Sequence, residues 1–141
     1  MPKKEKIIFI CSGNACRSQI AEGLMRNLAN DKFEVYSAGA HPTKVHPAAI
    51  TVMNEVGIDI SFHTSDPISL FINESIDMVV TVCDNAKKAC PVFPGKAERI
   101  HWSIEDPFQR WGSDPGDLVN FRKTREDLTA RIKNLIKSRF T

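Results

Sequence analysis

"IIFICSGNACRSQIAEG", Ile7–Gly23, is the stretch from which the fold can be read. Lys6–Ile10 reads as a strand that is apolar on both faces, as in the middle of a parallel sheet. From Ser18 to Asn30, Ile20, Leu24 and Leu28 recur at helical spacing, with Ala21 and Met25 beside them. Between the two lies Cys11-Ser12-Gly13-Asn14-Ala15-Cys16-Arg17-Ser18. A loop that leaves a parallel strand and opens a helix lies at the carboxyl end of the sheet, where doubly wound folds bind their ligands.

The same alternation continues along the chain. Phe33–Ala38 reads as a strand ending at Gly39. Pro47–Val56 reads as a helix, with Ile50, Met53 and Val56 facing inward and Gly57 as its stop signal. A loop with a short helical segment spans Ile60 to Asn73. Asp77–Val82, "DMVVTV", is a further buried strand, Asp84–Ala89 a short helix closed by Cys90-Pro91, and Glu98–Trp102 a fourth strand. After the irregular "EDPFQRWGSDPG", Asp117–Arg139 is a long terminal helix. Phe121, Leu128, Ile132 and Leu135 form its apolar stripe, and its Lys and Arg residues read as a solvated face. Strands alternating with helices predict an α/β fold with a parallel sheet, and 141 residues suit one domain.

A net charge of +2 is too small to argue for nucleic acid or a membrane surface as partner. Only four apolar residues separate "PKKEK" from Cys11, too few for an export core, so the cytoplasm is the expected compartment. Thiols stay reduced there, which makes the four cysteines metal ligands, catalytic thiols or buried bystanders rather than a static disulfide framework. Four and six residues intervene within the pairs Cys11/Cys16 and Cys83/Cys90, spacings that do not suit a zinc site.

The opening loop has a chemistry of its own. Unpaired N–H groups at the start of a helix carry the positive end of its dipole and cradle anions. Gly13 is expected to let the loop curl so that these groups converge. Cys11 would sit inside the cradle, its thiolate favoured by the same N–H groups and by Arg17, with Ser18 donating a further hydrogen bond. Arg17 offers a planar fork that matches two oxygens of a tetrahedral oxyanion. Cys16 is expected to be a bystander prone to oxidation.

"CSGNACRSQIAEG" resembles the phosphate loop of the low-molecular-weight tyrosine phosphatases and of their relatives, the thioredoxin-coupled arsenate reductases. The resemblance runs on through "YSAG" (36–39), "VGIDIS" (56–61), "TSD" (64–66), "VVTVCD" (79–84), "HW" (101–102) and "DP" (106–107). It implies one three-layer domain over residues 1–141 with a four-stranded parallel sheet. It implies an oxyanion held by residues 12–18 and attacked by Cys11, with Asp106 as the acid that protonates the leaving oxygen, a role for which the adjacent Glu105 competes. In some relatives Asn14, Glu22, Ser37 and Asp66 surround a potassium ion behind the loop, and they offer hard oxygen donors here; turn caps and loop hydrogen bonds are the other use for them. His41, His46, His63 and His101 have no ligand-like spacing.

The loop does not separate the two branches, but the downstream cysteines favour one. Cys83 follows "VVTV" and so lies on the same rim as Cys11. If the intervening segment is helical, Cys83 and Cys90 are separated by about 10 Å along its axis, too far for a disulfide, which needs Cα atoms within ~7 Å. The pair would bond only on unwinding. With the resemblance, this implies a relay in which a Cys11–Cys83 disulfide is followed by a Cys83–Cys90 disulfide that thioredoxin, or a glutaredoxin system, reduces. Arsenate is the implied substrate, with phosphate or sulfate as analogues, and a monomer is expected. The phosphatase branch usually carries a tyrosine after its Asp-Pro; here Phe108 follows, and Tyr36 is the one tyrosine in the chain. A phosphotyrosine phosphatase and a non-enzymatic oxyanion sensor are the competing readings.

Overall fold

The computed structural model describes residues 4–83 and 93–140. The expected helix over Asp84–Ala89, and Cys90 with it, lie outside the described residues. The elements are β1 (Glu5–Cys11), α1 (Arg17–Ala29), β2 (Phe33–Gly39), α2 (Pro47–Asn54), a 3-10 turn at Ile68–Leu70, β3 (Met78–Thr81), β4 (Glu98–His101) and α3 (Pro115–Phe140). The four strands form one parallel sheet in the order β2-β1-β3-β4, the sheet that the alternation of elements predicts.

Ile7, Ile8, Phe9 and Ile10 are all fully buried, which explains why β1 reads as an unbroken apolar run: both faces of the sheet are covered. On one face Ile7, Phe9 and Cys11 share a core with Ile20, Leu24 and Met25 of α1, Val52 and Met53 of α2, and Phe121, Leu128 and Ile132 of α3. On the other, Ile8 and Ile10 meet Val79 and Phe93, with Ile68, Phe71 and Ile76 packed against them. After β2 the chain returns to the opposite side of β1. That reversal is the switch point at which open α/β sheets leave a crevice beyond the carboxyl ends of their strands.

Three expectations need correction. Leu28 is largely exposed, because the inward stripe of α1 is carried by Ile20, Ala21, Leu24 and Met25. Val56 is exposed as well. The chain leaves the helix through a Schellman motif: Ile58 N donates to Met53 O, Gly57 N donates to Asn54 O, each at 3.0 Å, and Gly57 has φ +79°. The inward residue at this corner is thus Ile58. Third, the basic residues of α3 are not simply solvated. Arg122 and Arg125 both bind Glu55, Arg125 also donates to Val52 O at 2.8 Å, and Arg139 pairs with Glu5 and Glu98. They fasten α3 to α2 and to the sheet.

Candidate active site

α1 starts behind Cys16, which makes no side-chain capping bond, and its first turn holds no acidic residue. Its leading N–H groups are therefore open to an anion. The loop in front is curled by Asn14, at φ 47°, and not by Gly13. Asparagine enters the left-handed region more readily than most side-chain-bearing residues, and this one is held all round. Its Nδ2 donates to Ser18 Oγ at 2.7 Å and Ser37 Oγ at 3.0 Å. Its Oδ1 accepts from Asp66 N at 2.8 Å and its carbonyl from Gln19 Nε2 at 3.0 Å. Gly13 contributes its carbonyl, which accepts from Thr43 N and Ser65 Oγ, each at 3.1 Å. Gly39 packs beneath the loop so closely that a Cβ there would lie 2.6 Å from Ser12 O.

The Asn14 amide orders the protons on either side of it. Ser18 Oγ accepts from Asn14, so its own proton can point to Cys11 Sγ, 2.9 Å away. Ser37 also accepts from Asn14 and donates to Glu22 Oε1 at 2.5 Å. A thiolate at Cys11, buried at 2 % exposure, would thus receive a charge-assisted hydrogen bond from the Ser18 hydroxyl. Cys16 differs. Burial above all, then the Asp106 and Cys11 charges, push its thiol well above the ordinary cysteine range. Burial and the upward shift both favour the protonated thiol over the reactive thiolate.

Arg17 is buried. Its Nη1 donates to Ile104 O at 3.0 Å and its Nη2 stands 3.6 Å from Asp106 Oδ2. Its Nε is buried with no hydrogen-bond partner among the described residues, a state that costs on the order of 1–3 kcal/mol and that an oxyanion oxygen would relieve. Of the two adjacent carboxylates, Asp106 is the one within ion-pair range of this guanidinium. Phe108 N donates to its Oδ1 at 3.0 Å, closing a turn that aims the carboxylate.

β1 and β3 pair with Ile10 level with Thr81, so Cys11 is level with Val82 and Cys83 is one residue further on. Val82 N donates to Ile10 O at 2.9 Å, and Cys83 Sγ donates to the same carbonyl at 3.8 Å. Cys83 is therefore buried on the rim beside Cys11, in the same cluster of side chains.

The four residues suggested as potassium ligands are brought together. Glu22, Ser37 and Asp66 help to line a cleft of about 250 Å³, and Asn14 is tied to Ser37 and to the Asp66 backbone. Two carboxylates with an amide and a hydroxyl oxygen are a fitting donor set for a hard cation. They also brace the loop through their own hydrogen bonds, and Arg26 already pairs with Glu22 Oε2 at 2.7 Å.

Sequence reasoning passed over three residues that the structure places at the site. Gln19 is fully buried and joins Asn14 O to Thr64 O while its Oε1 meets His63 Nδ1 at 3.0 Å. His63 is held below its ordinary pKa mainly by burial, with Glu22 pulling the other way. His46 caps α2, its Nδ1 accepting from Ala48 N at 3.0 Å; its place directly before a proline at the first helical position was the available signal.

The chain matches the model of the family described as low molecular weight phosphotyrosine protein phosphatase over residues 6–139. It is 43 % identical over 130 residues to an arsenate reductase of Halalkalibacterium halodurans, covering 92 % of this chain and 94 % of the relative. A solved arsenate reductase in a phosphate-binding state superposes with a TM-score of 0.77 at 37 % identity, covering 95 % of this chain and 98 % of the other. A thioredoxin-dependent arsenate reductase of Corynebacterium glutamicum is similar at a TM-score of 0.72 and 31 % identity, covering 96 % of this chain and 61 % of the other.

Proposed function

This chain belongs to the low molecular weight phosphotyrosine protein phosphatase family, and within it we infer an arsenate reductase that thioredoxin regenerates. It reduces arsenate to arsenite. The observation that carries the reading is the position of Cys83: its Sγ reaches the carbonyl of Ile10, the residue next to Cys11. A phosphatase needs one thiol in this crevice; a reductase needs a second beside the first.

We propose the following sequence. Arsenate takes up the N–H groups of residues 12–18 and the Arg17 fork. The Cys11 thiolate attacks arsenic, and one oxygen leaves as water with a proton from Asp106, giving a Cys11 thioester of arsenic(V). Cys83 then attacks Cys11 Sγ. The electron pair of the sulfur–arsenic bond goes to arsenic, which leaves as arsenite, and a Cys11–Cys83 disulfide remains. Cys83 lies past the end of β3, where the chain bends, and this departure from strand alternation puts it in the same buried cluster as Cys11, on the side from which Cys11 Sγ can be attacked. Cys90 next attacks Cys83, releasing Cys11 as thiolate, and the dithiol of thioredoxin reduces the Cys83–Cys90 disulfide. A potassium ion held by Asn14, Glu22, Ser37 and Asp66 would supply positive charge behind the loop and stiffen it.

The test is NADPH consumption with arsenate, thioredoxin and thioredoxin reductase, beside hydrolysis of an aryl phosphate and with a glutaredoxin system as a second arm. Arsenate-dependent turnover with thioredoxin, slowed by phosphate or sulfate, is expected. Aryl phosphate hydrolysis without arsenate turnover would make the chain a phosphatase.

A further inference from the structure

We propose that His46 is a positioning residue for the first chemical step, clamping the loop that carries Asp106 to the loop that holds the oxyanion. The proposal rests on Asp106 as proton donor in the reaction above.

His46 is completely buried and is bonded on three sides. Its backbone N donates to Ala15 O, inside the oxyanion loop, at 3.0 Å. Its Nδ1 accepts from Ala48 N, so the ring proton sits on Nε2, and Nε2 donates to Arg110 O at 2.7 Å. The ring stacks on Trp111 at 5.1 Å between centroids and 19° between planes, and meets Phe108 and Phe121 at 5.4 and 4.6 Å. One side chain thus touches the acid loop at Phe108, Arg110 and Trp111, while its backbone holds Ala15, next to Asn14.

The acid loop needs such a clamp. Arg17 ties down Ile104 through its carbonyl at 3.0 Å, but Asp106 beyond it is half exposed, and its 3.6 Å approach to Arg17 is too long to fix the loop that follows. Residues 105–114 form no helix or strand. Their far end is secured by Asp117, which accepts from Arg110 Nε at 2.7 Å and from Asp114 N at 3.0 Å, but that anchor lies on α3 and has no bond to the oxyanion loop. Burial favours the neutral imidazole that the clamp requires, against the pull of the Arg110 carbonyl and Asp117 and with that of Lys44.

The experiment is a double-mutant cycle on single-turnover arsenite release. In His46→Asn the shorter side chain can still cap Ala48 N but cannot reach Arg110 O. It should slow release about 10- to 100-fold, the order expected when a reacting group is misplaced by an ångström, with sulfate affinity unchanged within about twofold. In the Asp106→Asn background the same change should cost nothing further, because a residue that acts only through Asp106 has nothing left to position. His46→Gln, long enough to offer Arg110 O a donor, should recover part of the rate. A wild-type rate in H46N, losses that multiply with D106N, or a parallel fall in sulfate affinity would each overturn the proposal. So would failure of both His46 variants to fold, which would make the residue purely one of core packing. A wild-type rate in D106N alone would instead remove the acid assignment beneath it.

Discussion

Arg17 Nη2 lies 3.6 Å from Asp106 Oδ2, so the guanidinium proposed to hold the oxyanion is shared with the side chain proposed to protonate its leaving oxygen. Asp106→Asn should slow the first step by about 10²–10⁴, the usual worth of general acid catalysis. It should also tighten sulfate binding, because a negative charge that competes for Arg17 is gone. Rapid-quench measurement of arsenite release and titration with sulfate read the two effects. An unchanged rate in D106N together with a dead Glu105→Gln variant would transfer the role to Glu105.

Cys83→Ser separates the two halves of the chemistry. Attack of Cys11 on arsenate needs only the loop, Arg17 and Asp106, whereas release of arsenite needs a thiol to attack Cys11. The variant should lose catalytic arsenate turnover and keep whatever aryl phosphate hydrolysis the wild type has. In the wild type, peptide mapping after turnover should find the Cys83–Cys90 bond. Loss of both activities in a folded C83S protein would make Cys83 structural.

Gly39→Ala tests how tightly β2 underlies the loop. The new Cβ would lie 2.6 Å from Ser12 O and 2.8 Å from Asn14 N. Both are backbone atoms, which cannot swing aside as a side chain does. Overpacking of this kind costs about 1–3 kcal/mol, and here the yielding part is the oxyanion cradle. Urea unfolding should show the loss of stability, and sulfate affinity should fall with it.

Glu55 links stability to acid pH. Hydrogen bonds from Arg122, then Arg125, hold its carboxyl at about 2, below its usual 4.5. A folded-state value below the unfolded one contributes stability that is complete above the unfolded pKa and disappears as pH falls through the folded one. Glu55→Gln should therefore be less stable than wild type by a constant amount above about pH 5. The difference should close as pH falls from about 4.5 to 2. Thermal melts across that range, at low and high salt, measure it; a gap that persists at pH 2 would mean that Glu55 acts through packing instead.

What the sequence by itself determined is local in the chain. The apolar run of β1, the helical spacing of Ile20 and Leu24 with Ala21 and Met25 beside them, the eight loop residues from Cys11 to Ser18 and the pattern of strand then helix are all contained within short windows. Backbone geometry translates such windows directly into elements. The parallel sheet, and the rim on which Cys11 and Cys83 meet, followed from that alternation and the connection rules of α/β folds.

What only the tertiary structure decided depends on partners far apart in sequence. Asn14 rather than Gly13 curls the loop because its amide is caught by Ser37 and by the backbone of Asp66, 52 positions away. Arg17 is oriented by Ile104, 87 positions away, and so comes within 3.6 Å of Asp106. Nothing near His46 in the sequence shows that its Nε2 meets Arg110, 64 positions on. The basic residues of α3 look solvated until Glu55 and Glu5 approach them. A lone polar residue has no periodicity to announce its partner. Its role is set when desolvation in the folded core obliges each buried donor and acceptor to find one.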